Sequence, residues 1–181
     1  MTRILLGISA SAAVAKAADL ASKLRQAGHE VNVVLTPNAA ELISAQLLEA
    51  LTGRPVHVNE YGQDRRSAMD HIDLARNTEL LLIAPATADL IGQLAAGLAP
   101  NLLATLTLAI PAGIPRVLIP AMNPHMFAQP AVQRNLATLA GDGWRVEQPA
   151  SGEVACGDEG PGRFLETAEV LERLGDLLHG R

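Results

Sequence analysis

The stretch ILLGISASAAVAKAADLASKLRQAGHEVNVVL (4–35) decides the fold. It opens on the apolar run ILLGI (4–8) and closes on VNVVL (31–35). Both runs are nearly continuous rather than alternating, as expected of parallel strands buried on both faces. Between them Ala13, Ala17, Leu20 and Leu24 fall on one face of a helix, and QAGHE follows, with Gly28 as a candidate C-cap. Strand, helix and strand in this order predict a right-handed crossover between two parallel strands.

The pattern repeats outward from there. LLLIA (80–84) and RVLIP (116–120) are two more buried strands, and PVHV is a short one. Helices are expected over NAAELISAQLLEAL, AMDHIDLAR, TADLIGQLAAGLA, NLLATLTLA, AVQRNLATLAGDG and TAEVLERLGDLL. Residues 59–68 form the most polar stretch and read as a surface loop. With no internal repeat or linker, residues 1–181 are expected to form one α/β domain with a mostly parallel sheet. Ligands sit at the carboxyl ends of such strands, and here those ends read GISAS, LTPNA, APATA and PAMNPHM. All four are rich in small, hydroxyl or turn residues.

Composition narrows the classes. Hydrophobic residues are 49% and charged residues 18%, which excludes a disordered chain. Aromatic residues are only 2% and the net charge is −5 with no long run of either sign, so neither nucleic acid nor an anionic membrane is an expected partner. MTRILLGISA reads as a first strand and not as a signal peptide, and no apolar run approaches the roughly 20 residues of a membrane span. One cysteine rules out an internal disulfide and a cysteine-cluster metal site. A cytoplasmic setting is the expectation.

The strand ends carry the candidate chemistry. Ser9 and Ser11 stand between a strand and a helix start, where hydroxyls and free amides suit a phosphate; capping the helix is the other reading. Thr36 offers the same pair of readings at the next strand end. No GxGxxG and no Walker A sequence is present. Pro85, Ala86, Thr87 and Ala88 could admit a flat ring close to the backbone, or form a plain strand-to-helix turn. His71 in HIDLAR and Asn123 in PAMNPHM are single polar residues, each with an ordinary structural reading as well. The one cysteine, Cys156, lies in ACGDEGPGR, residues 155–163.

Read in series, HIDLA, IAPATADLI, PAMNPHM, QRNLATL and ACGDEGPGR resemble the homo-oligomeric flavin-containing cysteine decarboxylases, over nearly the whole chain. The resemblance implies a Rossmann-like three-layer domain that binds FMN at a subunit interface and assembles as trimers, often four together. It implies that Ser9, Ser11 and Thr36 surround the FMN phosphate, that Pro85 to Ala88 border the ring, and that Thr105 is a further cofactor contact. His71 would be the catalytic histidine and Asn123 the group gripping the substrate's carboxylate and amide. Cys156 would be the thiol on a flap around 150–163, with glycines as hinges, and Met126 would join Asn123 and Cys156 in contacting substrate.

The implied chemistry oxidises a terminal cysteine to a thioaldehyde, whose carboxylate then leaves as CO2 to give an enethiolate. His71 would take up or steer the proton. FMN carries the redox step and the protein orients it. Two outcomes follow within the family. In 4′-phosphopantothenoylcysteine decarboxylation the hydride returns, Cys156 donates a proton and the product is 4′-phosphopantetheine of coenzyme A biosynthesis. In peptidyl-cysteine decarboxylation the enethiol leaves and feeds aminovinyl-cysteine formation. Retention of Cys156 favours the first. Ala10, Ser11, Ala15 and Phe127, which depart from the usual coenzyme A pattern, favour the second, as does a sequence carrying one domain where the coenzyme A enzyme is commonly joined to a synthetase. Flavin-binding regulatory subunits of phosphatases and flavin prenyltransferases share the fold. Against them stand His71 with Asn123, and HIDLA with PAMN and the cysteine flap, respectively.

Overall fold

In the computed structural model, described over residues 1–59 and 70–178, the 4–35 crossover is β1 (Arg3–Ile8), α1 (Val14–Gln26) and β2 (Glu30–Leu35). β1 and β2 are parallel, in register from Arg3 opposite Glu30 to Ile8 opposite Leu35. α2 (Pro37–Ala40), α3 (Ala45–Thr52) and β3 (Val56–His57) follow. The helix expected over NAAELISAQLLEAL is thus two helices. Ser44 turns extended (φ −68°, ψ 129°) and its side chain accepts from the Leu47 amide, so a new N-terminus starts mid-run. The polar loop expected at 59–68 lies outside the described residues except for Asn59, as do the first two residues of AMDHIDLAR.

The second half contains α4 (Asp70–Arg76), β4 (Leu80–Ala86), α5 (Ala88–Ala95), α6 (Leu102–Ala109) and β5 (Arg116–Pro120). Then come α7 (Pro124–Phe127), α8 (Pro130–Gly141), β6 (Arg145–Val146), β7 (Ala150–Glu153), β8 (Glu159–Arg163), α9 (Thr167–Arg173) and α10 (Gly175–Leu178). The main sheet is parallel with order β3-β2-β1-β4-β5-β6. Strand order reverses between β1 and β4, so a crevice opens at their carboxyl ends.

Helices cover both faces in a Rossmann-like three-layer arrangement. Ile4, Leu6, Ile8, Val33 and Leu82 enter the core under α1 and α9; Leu5, Val34, Leu81 and Ile83 enter the one under α5, α6 and α8. Each strand thus feeds both cores, which explains why its sequence does not alternate. Gly7 is the exception in size. A Cβ there would lie 2.6 Å from Ile83 Cδ1 and Leu103 Cδ1, so glycine lets α6 sit down on the sheet. At the β6 edge Glu147 holds Arg145 (2.6 Å) and Arg173 (2.9 Å), tying the C-terminal helices to the sheet.

β7 and β8 form a separate antiparallel hairpin. It covers the region expected to be a flap, but two of its glycines are contact points rather than hinges. A Cβ on Gly162 (φ +124°) would strike the Met122 carbonyl oxygen, and one on Gly160 would lie 3.0 Å from Pro124 Cβ. The Met122 amide also donates to the Gly162 carbonyl at 3.0 Å. The β8 arm is therefore anchored to the turn after β5 by backbone contact, whereas the tip at 154–158 meets that turn through side-chain bonds to Asn123.

Candidate active site

The crevice is closed at its base by Ser9. This residue is 1% exposed, and its hydroxyl donates to the Pro85 carbonyl at 2.8 Å and accepts from the Thr87 amide at 2.9 Å. A buried hydroxyl needs such partners, and these two join the ends of β1 and β4. Neither Ser9 nor Ser11 is the N-cap of α1. That position is Ala13, without a side-chain bond, and Ser11 Oγ accepts from the Ala13 amide at 3.3 Å.

Thr36 caps α2 by accepting from the Ala39 amide at 3.2 Å, and it is buried. Thr87 caps α5. Pro85 and Ala86 are buried within β4, and Ala88 is the half-buried first residue of α5.

Above this base lies a cavity of about 490 Å³, lined by the start of α1, Thr87, the 121–126 turn after β5 and the β7–β8 hairpin. That volume falls in the range of small-molecule and cofactor sites. Of the expected site residues, Ser11, Thr87, Asn123, Met126 and Cys156 line it together. Small side chains (Ala10, Ala12, Ala13, Ala121) leave a flat approach to the backbone.

Lys16 and Arg163 also line the cavity, and both lean on one carboxylate, Glu166, at 2.7 and 3.8 Å. Glu166 is held below the usual carboxylate range, first by the Lys16 hydrogen bond and its charge. Arg163 Nε is buried with no partner. Two cations sharing one acid, beside an apolar floor of small residues, fit a flat aromatic ring that carries an anionic tail.

Asn123 is the N-cap of α7. Its Oδ1 accepts from the amides of His125 (2.8 Å) and Met126 (3.4 Å), which turns Nδ2 toward the hairpin tip. Nδ2 donates to Cys156 Sγ at 3.1 Å and, in a short hydrogen bond, to Asp158 Oδ2. Cys156 Sγ donates to the same Asp158 oxygen at 3.4 Å. These bonds, Asn123 first and Cys156 second, hold the Asp158 carboxyl below its ordinary range. Asp158 escaped the sequence reading although it stands inside ACGDEGPGR. Lys16 and Arg163 escaped it too: Arg163 is a near neighbour of Glu166 in sequence, but Lys16 reaches the same carboxylate from 150 residues away.

Two expected residues stand elsewhere. His71 is half-buried in the first turn of α4, and Thr105 lies on α6, against which α4 packs. Arg76, at the end of α4, leads within a few residues into β4, so the first turn of α4 is at the carboxyl edge of the sheet. Neither side chain lines the cavity within one chain.

The Flavoprotein family model matches residues 1–179. The coenzyme A biosynthesis bifunctional protein CoaBC of Vibrio vulnificus is 46% identical over 169 residues, 93% of this chain and 42% of that protein. The chain thus spans about two fifths of the length of that curated relative. A probable phosphopantothenoylcysteine decarboxylase of Streptococcus mutans is 37% identical over 97% of this chain and 98% of its own.

Among solved structures, a PPC decarboxylase cysteine-to-serine mutant complexed with pantothenoylaminoethenethiol superposes with TM-score 0.85 at 26% identity, over 99% of both chains. The FMN-dependent cysteine decarboxylase SpaF superposes with TM-score 0.79 at 28% identity, over 98% of this chain and 97% of its own.

Proposed function

The chain belongs to the Flavoprotein family, and from that premise we propose that it is an FMN-dependent decarboxylase of a terminal cysteine, with 4′-phosphopantothenoylcysteine as substrate and 4′-phosphopantetheine as product. One observation carries this reading: the exposed Cys156 thiol and the Asn123 amide meet at 3.1 Å over the cavity at the carboxyl ends of β1, β4 and β5. The likeness to the Streptococcus mutans protein over nearly the full length of both chains supports the same substrate.

Thr87, Ser11 and the start of α1 hold FMN, with Lys16 and Arg163 available to an anionic tail. Ser9 fixes the loops that bear them, and Thr36, Pro85, Ala86, Ala88 and Thr105 complete the cofactor surroundings. When bound, FMN supplies the hydride acceptor that turns the substrate cysteine into a form able to lose CO2. Asn123 binds the substrate carboxylate through Nδ2, since its Oδ1 is committed to the α7 amides. Met126, half its surface exposed at the cavity mouth, shields the bound cysteine from water. Cys156 donates the proton that completes the reduced product. His71 accepts or steers a proton at the reacting cysteine.

His71 stands on the α4–α6 face, outside the cavity of its own chain. It joins a site when copies of the chain associate, as a trimer or four trimers together. Leu108 on α6 is 59% exposed and Leu98 57% exposed, which suits such packing. Among the described residues no helix is long and apolar enough to cross a membrane, and a cytoplasmic setting accords with the reaction.

A peptidyl-cysteine substrate is the second reading, favoured by the likeness to SpaF. Product masses separate the two. The purified protein should be yellow and should take about 44 Da, one CO2, from 4′-phosphopantothenoylcysteine. A further loss of two hydrogens, from a peptide ending in cysteine, marks the other reading. Activity should vanish in His71→Asn; full activity there would defeat the mechanism.

A further inference from the structure

We infer that Asp158 is a built-in stand-in for the substrate's carboxylate: it occupies the Nδ2 donor of Asn123 while the flap is closed, and a cysteine-terminated substrate enters by displacing it. The inference rests on the reading of Asn123 as the group that grips that carboxylate.

The amide of Asn123 has one acceptor oxygen and an NH2 group with two N–H donors. Its oxygen is taken by the His125 and Met126 amides, so the fold itself fixes which side faces the cavity. On that side the partners are Asp158 Oδ2 and Cys156 Sγ, both at the flap tip. An ionised carboxylate accepting from the Asn123 amide is the same contact the substrate's terminal carboxylate would make. Two carboxylates on one amide would repel, so only one is held at a time.

The consequence reaches the thiol. Cys156 donates to the oxygen of Asp158 that Asn123 also holds. When a substrate carboxylate takes Asn123, Asp158 swings off and Cys156 loses its acceptor, leaving the S–H free to turn toward the bound cysteine. Asp158 is thus a positioning residue: it parks the thiol, and substrate arrival releases it. The β8 arm stays pinned through Gly160 and Gly162, so the exchange is confined to the tip.

The test compares two ligands by calorimetry on the FMN-loaded enzyme: an N-acyl-S-methylcysteine, which keeps the carboxylate, and its decarboxylated S-methylcysteamine counterpart. Asp158→Ala should tighten the first about fivefold or more, the scale of one charged hydrogen bond, and change the second less than about twofold. Asp158→Asn, which keeps an acceptor but not the charge, should fall between. Glu159→Gln removes the same charge one residue away without touching Asn123, and should change either ligand less than about twofold.

An unchanged or weakened carboxylate ligand in Asp158→Ala overturns the inference. So does an equal gain from Glu159→Gln. Asn123→Ala separates the two levels. If it weakens the carboxylate ligand while Asp158→Ala gives no gain, only the stand-in fails. If it weakens nothing, the reading of Asn123 fails and the inference goes with it.

Discussion

Ser9 lies beneath the cavity and Cys156 lines it, and the two are held in opposite ways. Ser9 is 1% exposed and bonds to Pro85 and Thr87, 76 and 78 residues along the chain. Cys156 is exposed and bonds to Asn123 and Asp158 at the tip of a hairpin. The first is part of the fold, where an unpaired group costs stability. The second is a few polar contacts in reach of water, where a lost bond costs little stability and changes the chemistry. The rigid side thus frames the cavity, and the thiol proposed as proton donor sits on the loose one.

The largest effect expected from this contrast is on the rigid side. Ser9→Ala should lower unfolding free energy by about 1–3 kcal/mol, because the half-buried Thr87 amide loses the partner that the buried Ser9 hydroxyl supplies. Urea denaturation with an unchanged m-value would check it. A change within about 0.5 kcal/mol would mean that Ser9 does not join the two strand ends.

A smaller effect lies at the tip. The bonds from Asn123 and Cys156 depress the Asp158 carboxyl, so its contribution to flap closure is present above the ordinary carboxylate range. That contribution is lost as pH falls through the lowered value. Exchange protection of the Gly157 amide, which donates to the Val154 carbonyl inside the tip turn, should be flat from neutrality to about pH 5 and fall only below about pH 4, after correction for intrinsic rates. Loss of protection near neutrality would show that another group latches the tip.

The same contrast explains what could be read in the sequence. The β1–α1–β2 crossover and the four strand ends were legible because burial on both faces writes a continuous apolar run. The family pattern then marked Asn123 and Cys156, and the structure brings these two together. The β7–β8 hairpin was not legible as strands. Its sequence, ASGE and EGPGR, has no alternation, since β8 rests on Met122 and Pro124 through glycines instead of burying side chains.

Asp158 was invisible for a related reason. Its partner Asn123 is 35 residues away, and a contact between two loops leaves no periodic trace. The break at Ser44 was missed because LISAQ continues an apolar helical pattern while a cap depends on one backbone turn. His71 was singled out by resemblance, yet one chain does not bring it to the cavity.

Cys156→Ser is the smallest change to stability and the largest to outcome. It should alter unfolding free energy by less than about 0.5 kcal/mol, as an exposed substitution does. Mass spectrometry of the product formed from 4′-phosphopantothenoylcysteine by the FMN-loaded variant tests the account most directly. The account predicts an enethiol, lighter than 4′-phosphopantetheine by two hydrogens. Unaltered 4′-phosphopantetheine from Cys156→Ser would contradict it, and with it the role of the flap thiol as proton donor.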